Sequence, residues 1–433
     1  MRPRGHAIER LLIANRGEIA VRIARSAHRL GIGTVGVYSE PDRNALHVDS
    51  VDVAVALGGA TPGESYLRGD AVIAAALATG ADAIHPGYGF LAENAGFAQA
   101  VIDAGLAWVG PTPDQITLLG DKVAAKRAAL EAGVPTTSMI EVVDGRIDGD
   151  VTYPALVKAA AGGGGRGMRV VRTADELAEA VAAASREAAS AFGDGTVFIE
   201  PFLERGRHVE VQIMGDRHGN VIHLGERECS IQRRNQKVVE ESPSAGIAPE
   251  TRAALCGGAV ALARHVGYEG AGTFEFMVAA DGATITFLEV NTRLQVEHPV
   301  TEAVTGLDLV ELQLLVAAGE PLLLAQDDVT FDGHAIEVRV VAEDPATGWM
   351  PSTGTVGRFA IGATGDGIRV DTGVRDGSVI SPDYDSLVAK VIAHAPTRDG
   401  AARRLARALR ASQVTGIRTN VESLVAVLGE ADC

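Results

Sequence analysis

The stretch ALVKAAAGGGGRGMRVV, residues 155–171, decides the fold. Its GxGxxG-like spacing raises a dinucleotide site. That fingerprint needs a strand before the glycines and a helix after them, because the pyrophosphate rests on the helix N-terminus. Here a second strand pattern, MRVV, follows instead. The segment therefore reads as strand, glycine turn, strand, which argues against a Rossmann oxidoreductase. The bare N–H groups of such a turn can fold over phosphates as a lid. A plain flexible hairpin is the alternative, but four consecutive glycines carry a large entropic cost if they serve nothing. Lys158, ending the first strand, can add its ammonium to the same phosphates.

N-terminal to this unit, strand and helix signals alternate. LLIAN (11–15), TVGVY (34–38), VDVAVAL (51–57) and DAIH (82–85) read as strands. Helical patterns run from 17 to 30, 70 to 80 and 93 to 104, and a further helix is capped by Asp121 and stops before Pro135. This alternation predicts a doubly wound, mostly parallel sheet whose ligand side lies at the carboxyl ends of its strands, where HPGYGF (85–90) falls. On the C-terminal side, from residue 207 onward, strands dominate. The pattern divides the chain into 1–135, a small α+β lid at 136–203, and a mainly antiparallel 204–433, with linkers near 135–150 and 203–207.

Two strands in the last part carry carboxylates. GTFEFMV (272–278) and TITFLEVNTR (284–293) flank Ala280-Asp281-Gly282, a hairpin signal that brings Glu275 and Glu289 level. Level carboxylates repel unless a cation lies between them. Mg²⁺ (or Mn²⁺) bridging ATP phosphates fits, and Asn291, on the same face, offers a third oxygen. Next, NTRLQVEHP (291–299) spaces Arg293, Gln295 and Glu297 two apart. An extended segment would project all three to one side. A guanidinium, an amide and a carboxylate there can hold a small planar oxyanion such as bicarbonate and take its proton. A solvated strand face explains any one of these residues, but not the set.

Bulk properties agree. A chain of 433 residues has room for about three domains. The formal charge of −17 disfavours nucleic acid and anionic membrane as general partners. Cys229, Cys256 and Cys433 form no CxxC pair, so a reducing cytosol is expected rather than a disulfide framework or zinc site. The opening MRPRGHAIERLLIANRGE lacks a signal-peptide core, and no apolar run is long enough to span a membrane.

Taken together, ANRGEIAVRI, HPGYGFLAEN, GDKVAAK, VKAAAGGGGRGMRVV, RHVEVQI, ERECSIQRRNQKVVEE, GTFEFM, EVNTRLQVEHPVTE and YDSLVAK resemble the biotin carboxylases of the ATP-grasp superfamily, in family order and spacing. The resemblance implies a three-part ATP-grasp fold and ATP-dependent carboxylation of biotin through carboxyphosphate. It implies Lys122 and Lys158 as phosphate lysines, Gly164 and Gly165 as lid backbone, and Glu200, Pro201, Phe202 and Leu203 as the adenine hinge. His208, Gln232 and Asn235 would lie near ribose and phosphates, with Glu275, Glu289 and Asn291 as metal ligands. Lys237, Arg293, Gln295 and Val296 would hold bicarbonate, with Glu297 as base, Arg339 at the biotin ureido oxygen and Tyr88 lining the biotin pocket.

Biotin would arrive on a carrier domain, since no AMKM-like biotinylation string occurs here. A carboxyltransferase and a second copy of the chain are the other expected partners. Three departures stand out. Asn235 replaces a common His and Ala161 a first glycine. The chain also stops at Cys433, where relatives continue, which suggests a truncation or one domain of a longer polypeptide. The competing functions are another ATP-grasp ligase passing an acyl phosphate to an amine, and a catalytically silent scaffold of a carboxylase.

Overall fold

The computed structural model describes residues 7–143, 146–160, 168–362, 365 and 367–430. The glycine run, with Gly164 and Gly165, lies outside them. Its flanks are as expected: strands Ala155–Ala159 and Arg169–Val171 pair antiparallel, so no helix follows the glycines.

The N-terminal sheet has five parallel strands in the order Val53–Ala56, Gly33–Tyr38, Arg10–Ile13, Ala83–His85, Ala107–Trp108. The order reverses between Arg10–Ile13 and Ala83–His85, where such sheets bind ligands. HPGYGF leaves the sheet at this point. Asn15 ties it down, its Nδ2 donating to the carbonyls of Pro86 and Tyr88 at 2.7 Å each. Gly87 has φ +66°, and a Cβ there would sit 2.9 Å from Asn15 Nδ2, so the close approach needs glycine. Helix Gly17–Arg29 buries Ile19, Ile23 and Ala27 on its apolar side. Part of its polar side is also buried: Arg22 binds Glu302 at 2.6 Å and Asp308 at 2.8 Å.

A second five-stranded sheet forms the small unit, in the order Arg146–Ile147, Ile140–Val143, Val197–Pro201, Ala155–Ala159, Arg169–Val171. Helix Ala174–Phe192 covers it, packing Leu177, Val181 and Ala184 on Val157 and Ile199. The segment expected as a linker, 135–150, thus contributes an edge strand and the strand beside it.

The third sheet has eight antiparallel strands, running Ile285–Asn291, Gly270–Ala279, Gly206–Gly215, Val221–Arg233, Gln236–Ser242, His334–Val341, Leu387–Ala395, Ile368–Thr372. Alternation, interrupted by bulges, gives it two unlike faces. In HVEVQI, Val209, Val211 and Ile213 enter an apolar core under helices Lys122–Glu131 and Pro249–His265. His208, Glu210 and Gln212 point the other way. Phe276 and Phe287 meet edge-on in that core at 5.8 Å, and truncating either ring to Ala should cost about 3–5 kcal/mol. Among the described residues, no helix is long and apolar enough to cross a membrane.

Candidate active site

The polar face of the large sheet is the floor of a cavity of about 630 Å³. Tyr88 and Gly89 from the N-terminal unit, the small unit and the last strands also line it. Every cavity-lining residue of the sequence-based set among the described residues is present there: Lys122, Lys158, Glu200 to Leu203, His208, Gln232, Asn235, Lys237, Glu275, Glu289, Asn291, Arg293, Gln295, Val296, Glu297, Arg339 and Tyr88.

Glu275 and Glu289 stand directly opposite each other, as the hairpin predicted. The turn is set by Asp281, whose Oδ1 accepts from the N–H groups of Ala283 and Thr284 at 2.9 Å each. Glu275 is buried and accepts from Asn291 Nδ2 at 2.8 Å, Lys237 Nζ at 3.0 Å and His208 Nε2 at 2.7 Å. Burial alone would raise its pKa, but Lys237 and His208 hold it well below the ordinary value. Glu289 lies 3.3 Å from Lys122 Nζ. Two level carboxylates, both counterbalanced by cations and backed by the Asn291 amide, are an oxygen donor set that fits Mg²⁺ sharing phosphate oxygens.

Lys237 is the hub. Its ammonium reaches Glu210, Glu275 and Glu297, the last at 2.7 Å. Burial alone would lower this lysine, yet the three carboxylates push it well above its ordinary value. Glu210 is fixed from behind by Arg227, which is wholly buried and donates to Glu210, Gln212, Thr301 and Thr273. Glu297 is also wholly buried. Its Oε1 accepts from Lys237 and its Oε2 from Arg339 at 2.9 Å. Burial opposes ionisation, but Lys237, Arg339 and Arg227 hold its carboxyl far below the usual range.

The polar run 291–299 departs from expectation. It leaves the sheet after Asn291 and turns, with Glu297 as the residue preceding helix His298–Thr305. Pro299 in the first turn explains the switch, since proline fits a helix start. Arg293 and Gln295 still meet at 2.9 Å, and Arg293 also donates to Asn291 at 3.1 Å. Glu297 joins them through Lys237 rather than by strand alternation. Val296 presents its carbonyl to Lys390 at 2.8 Å.

Where the small unit meets the cavity, Glu200 does not stand free. It is buried and binds Lys126 and Lys158. Burial alone would raise it, but the two lysines bring it down to about 2. Asn235 sits with Arg234 in a two-residue turn, at φ +62° and +50°. Both positions are left-handed, the geometry of a tight hairpin turn that Asn adopts readily. On the side of the N-terminal unit, Tyr88 gives its hydroxyl to Glu18, and Lys390 lies 3.1 Å from Glu18. Arg339 donates its Nε to Glu240 at 2.6 Å.

Sequence reasoning missed Lys126, Glu210, Arg227, Glu240, Lys390, Glu18 and Glu93. Glu210 was legible through its alternation with His208. Glu93 holds Arg293 Nε at 2.8 Å from 200 residues away, and nothing local announces that pairing.

Comparison with known proteins agrees with this geometry. Three family descriptions match consecutive parts: "Biotin carboxylase, N-terminal domain" over 7–116, "Carbamoyl-phosphate synthase L chain, ATP binding domain" over 121–325, and "Biotin carboxylase C-terminal domain" over 337–433. The chain is 49% identical over 419 residues to a biotin carboxylase of Nostoc sp., covering 95% of this chain and 93% of that protein. It is 47% identical over 430 residues to the alpha subunit of a mitochondrial methylcrotonoyl-CoA carboxylase from Arabidopsis thaliana, where it spans 98% of itself but 59% of that subunit. The biotin carboxylase domain of the Hydrogenobacter thermophilus 2-oxoglutarate carboxylase, a dimer solved with MgADP, ADP and bicarbonate, superposes with a TM-score of 0.95 at 44% identity, over 99% of this chain and 95% of that one. With matches of this extent on the ATP-grasp scaffold described above, the chain belongs to the biotin carboxylase family.

Proposed function

We propose that the chain carboxylates biotin with bicarbonate and ATP, as the first half-reaction of a larger carboxylase. One observation carries the reading. The buried Glu297 carboxylate lies between two cations that line one cavity. Lys237 links it to Glu275 at the nucleotide end, and Arg339 binds its other oxygen at the biotin end.

Arg293 and Gln295 hold bicarbonate, with Lys237 and Val296 alongside. Glu297 accepts the bicarbonate proton, and the freed oxygen attacks the γ-phosphorus of ATP, giving carboxyphosphate and ADP. So strongly depressed a carboxylate is a weak base while Lys237 serves it. Bicarbonate and triphosphate bring further anions to share that ammonium, so the basicity of Glu297 rises as the substrates bind. Mg²⁺ or Mn²⁺, held by Glu275, Glu289 and Asn291, would supply neutralisation of phosphoryl charge. Lys122 and Lys158 add to it. Glu200 to Leu203 would read adenine, and His208, Gln232 and Asn235 would serve ribose and phosphates.

Carboxyphosphate then breaks into CO₂ and phosphate. Phosphate takes the ureido N–H proton of biotin, the nitrogen attacks CO₂, and Arg339 stabilises the charge on the ureido oxygen. Tyr88 closes the biotin pocket.

The division into 1–135, 136–203 and 204–433 gives a nucleotide-facing floor with a lid. The partners are a biotin-bearing carrier domain, a carboxyltransferase and a second copy of the chain, in a reducing cytosol. ADP release measured with and without bicarbonate and biotin tests the activity. Release independent of both would leave a different ATP-grasp ligase as the better account.

A further inference from the structure

Strand His334–Val341 directs Glu337 and Arg339 to one face, two residues apart. On the neighbouring strand Glu240 is directly opposite Glu337, a placement that sets Cβ atoms about 4.5–5.5 Å apart. Glu240 and Glu337 are both 0% exposed. Glu240 Oε1 accepts from Arg339, but its Oε2 has no partner, and neither oxygen of Glu337 has one. Two adjoining buried anions with three unsatisfied oxygens would be very unfavourable.

We propose that Glu240 and Glu337 share one proton and act as a positioning pair that seats Arg339 against Glu297. The Glu337 O–H donates to Glu240 Oε2. Glu240 stays an anion and offers its other oxygen to Arg339, whose remaining N–H reaches Glu297. No proton enters or leaves the pair during turnover.

The surroundings favour this arrangement. Lys390 faces Glu337 from strand Leu387–Ala395, but its ammonium serves the Val296 carbonyl at 2.8 Å and Glu18 at 3.1 Å. Lys237, on strand Gln236–Ser242 with Glu240, also acts on it but serves Glu210, Glu275 and Glu297. The Glu297 anion adds repulsion from the turn before helix His298–Thr305. His298 on that helix is wholly buried, and burial keeps its imidazole neutral. Burial lifts Glu240 to about 7 against the pull of Arg339, and lifts Glu337 well above its ordinary value, which makes Glu337 the proton's holder. The inference rests on Arg339 serving the biotin end.

Three variants and an infrared spectrum test it. Glu337→Leu leaves Glu240 Oε2 without a donor, and biotin carboxylation should fall about 10- to 100-fold. ADP release from ATP and bicarbonate alone should fall far less. Its melting temperature should fall, because a buried Glu240 oxygen loses its donor, and Glu337→Gln should restore it, so the loss of carboxylation relative to ADP release is what reads the positioning role. Glu337→Gln restores an N–H donor and should recover carboxylation to within about fivefold of wild type. Glu240→Gln removes the anion under Arg339 and should reproduce the Glu337→Leu selectivity. At pH 7 wild type should show a protonated-carboxyl band that Glu337→Gln lacks. Equal damage from Gln and Leu at 337 would overturn the shared proton, as would absence of the band. Full carboxylation by Glu337→Leu would overturn the positioning role. The band decides about the pair even if wild type proves inert toward biotin, an outcome that would sink the carboxylase reading alone.

Discussion

At the scale of single residues, the site is a set of carboxylates made usable by fixed cations. Glu297→Gln keeps the shape of the group clamped by Lys237 and Arg339 but cannot take a proton. Bicarbonate-dependent ATP cleavage should fall by about 10²–10⁴ while ATP still binds, read by turnover and by nucleotide titration. Turnover near wild type would remove Glu297 from the role of base. Arg339→Ala should separate the half-reactions. Its guanidinium lies between Glu240 and Glu297, away from the carboxylate pair, so carboxylation of biotin should drop much more than ADP formation. Equal losses would assign Arg339 to the phosphates or to structure. Asn235 occupies a left-handed turn position that His also tolerates. Asn235→His should therefore fold normally and change the KM for ATP. The mutant to wild-type ratio should vary between about pH 6 and 8, because only the imidazole titrates there. A ratio flat with pH, at unchanged KM, would place position 235 outside the nucleotide shell.

Elements decide which of these residues can meet, and this is where reading from sequence succeeded and failed. The hairpin carrying Glu275 and Glu289 was legible because Asp281 and Gly282 fix the turn and alternation fixes the face. A bulge after Glu275 shifts the register by one residue without separating the pair. The reading of 291–297 as extended failed because period-two spacing looks the same in a strand and in a turn entering a helix, and Pro299 was the overlooked sign. Glu200 shows a further limit. It joins strand Val197–Pro201 to Lys158 on the adjoining strand and to Lys126 on helix Lys122–Glu131, with Thr137 Oγ1 donating to it at 2.7 Å. Such a staple depends on three segments and has no local signature. Because its folded pKa lies below the unfolded value of about 4.3, Glu200 stabilises fully above that value and loses its contribution as pH falls toward about 2. The shift corresponds to about 3 kcal/mol. Glu200→Gln should thus be destabilised by about that amount at pH 7, with the gap narrowing between about pH 4.3 and 2. Denaturant melts across that range check it; a gap constant with pH would mean the carboxylate is not the staple.

Over the whole molecule, the cavity belongs to no single sheet. Tyr88 and Gly89 of the N-terminal unit line it and Glu93 holds Arg293, the small unit supplies Lys158 and Glu200, and the large sheet supplies the floor. A biotin presented by a tethered carrier gains effective concentration over the free vitamin. The kcat/KM for a biotinylated carrier domain should exceed that for free biotin by about 10²-fold or more; parity between them would refute the need for a carrier. The same interlocking binds the chain's beginning to its far end. Helix Gly17–Arg29 packs on strand Ile368–Thr372, and Arg25 reaches Asp371 across 346 positions of sequence. Arg22 reaches Glu302 across 280. A ribosome adding about 5–20 residues per second would finish that strand roughly 20–70 seconds after the helix emerges. Until then Arg25 and the part of the helix that packs on this strand have no counterpart, so that side of the nascent N-terminal unit waits, loosely docked, for the rest of the protein to be made. Pulse-labelled nascent chains arrested before residue 360 should accordingly be more protease-sensitive around Arg25 than chains released at full length.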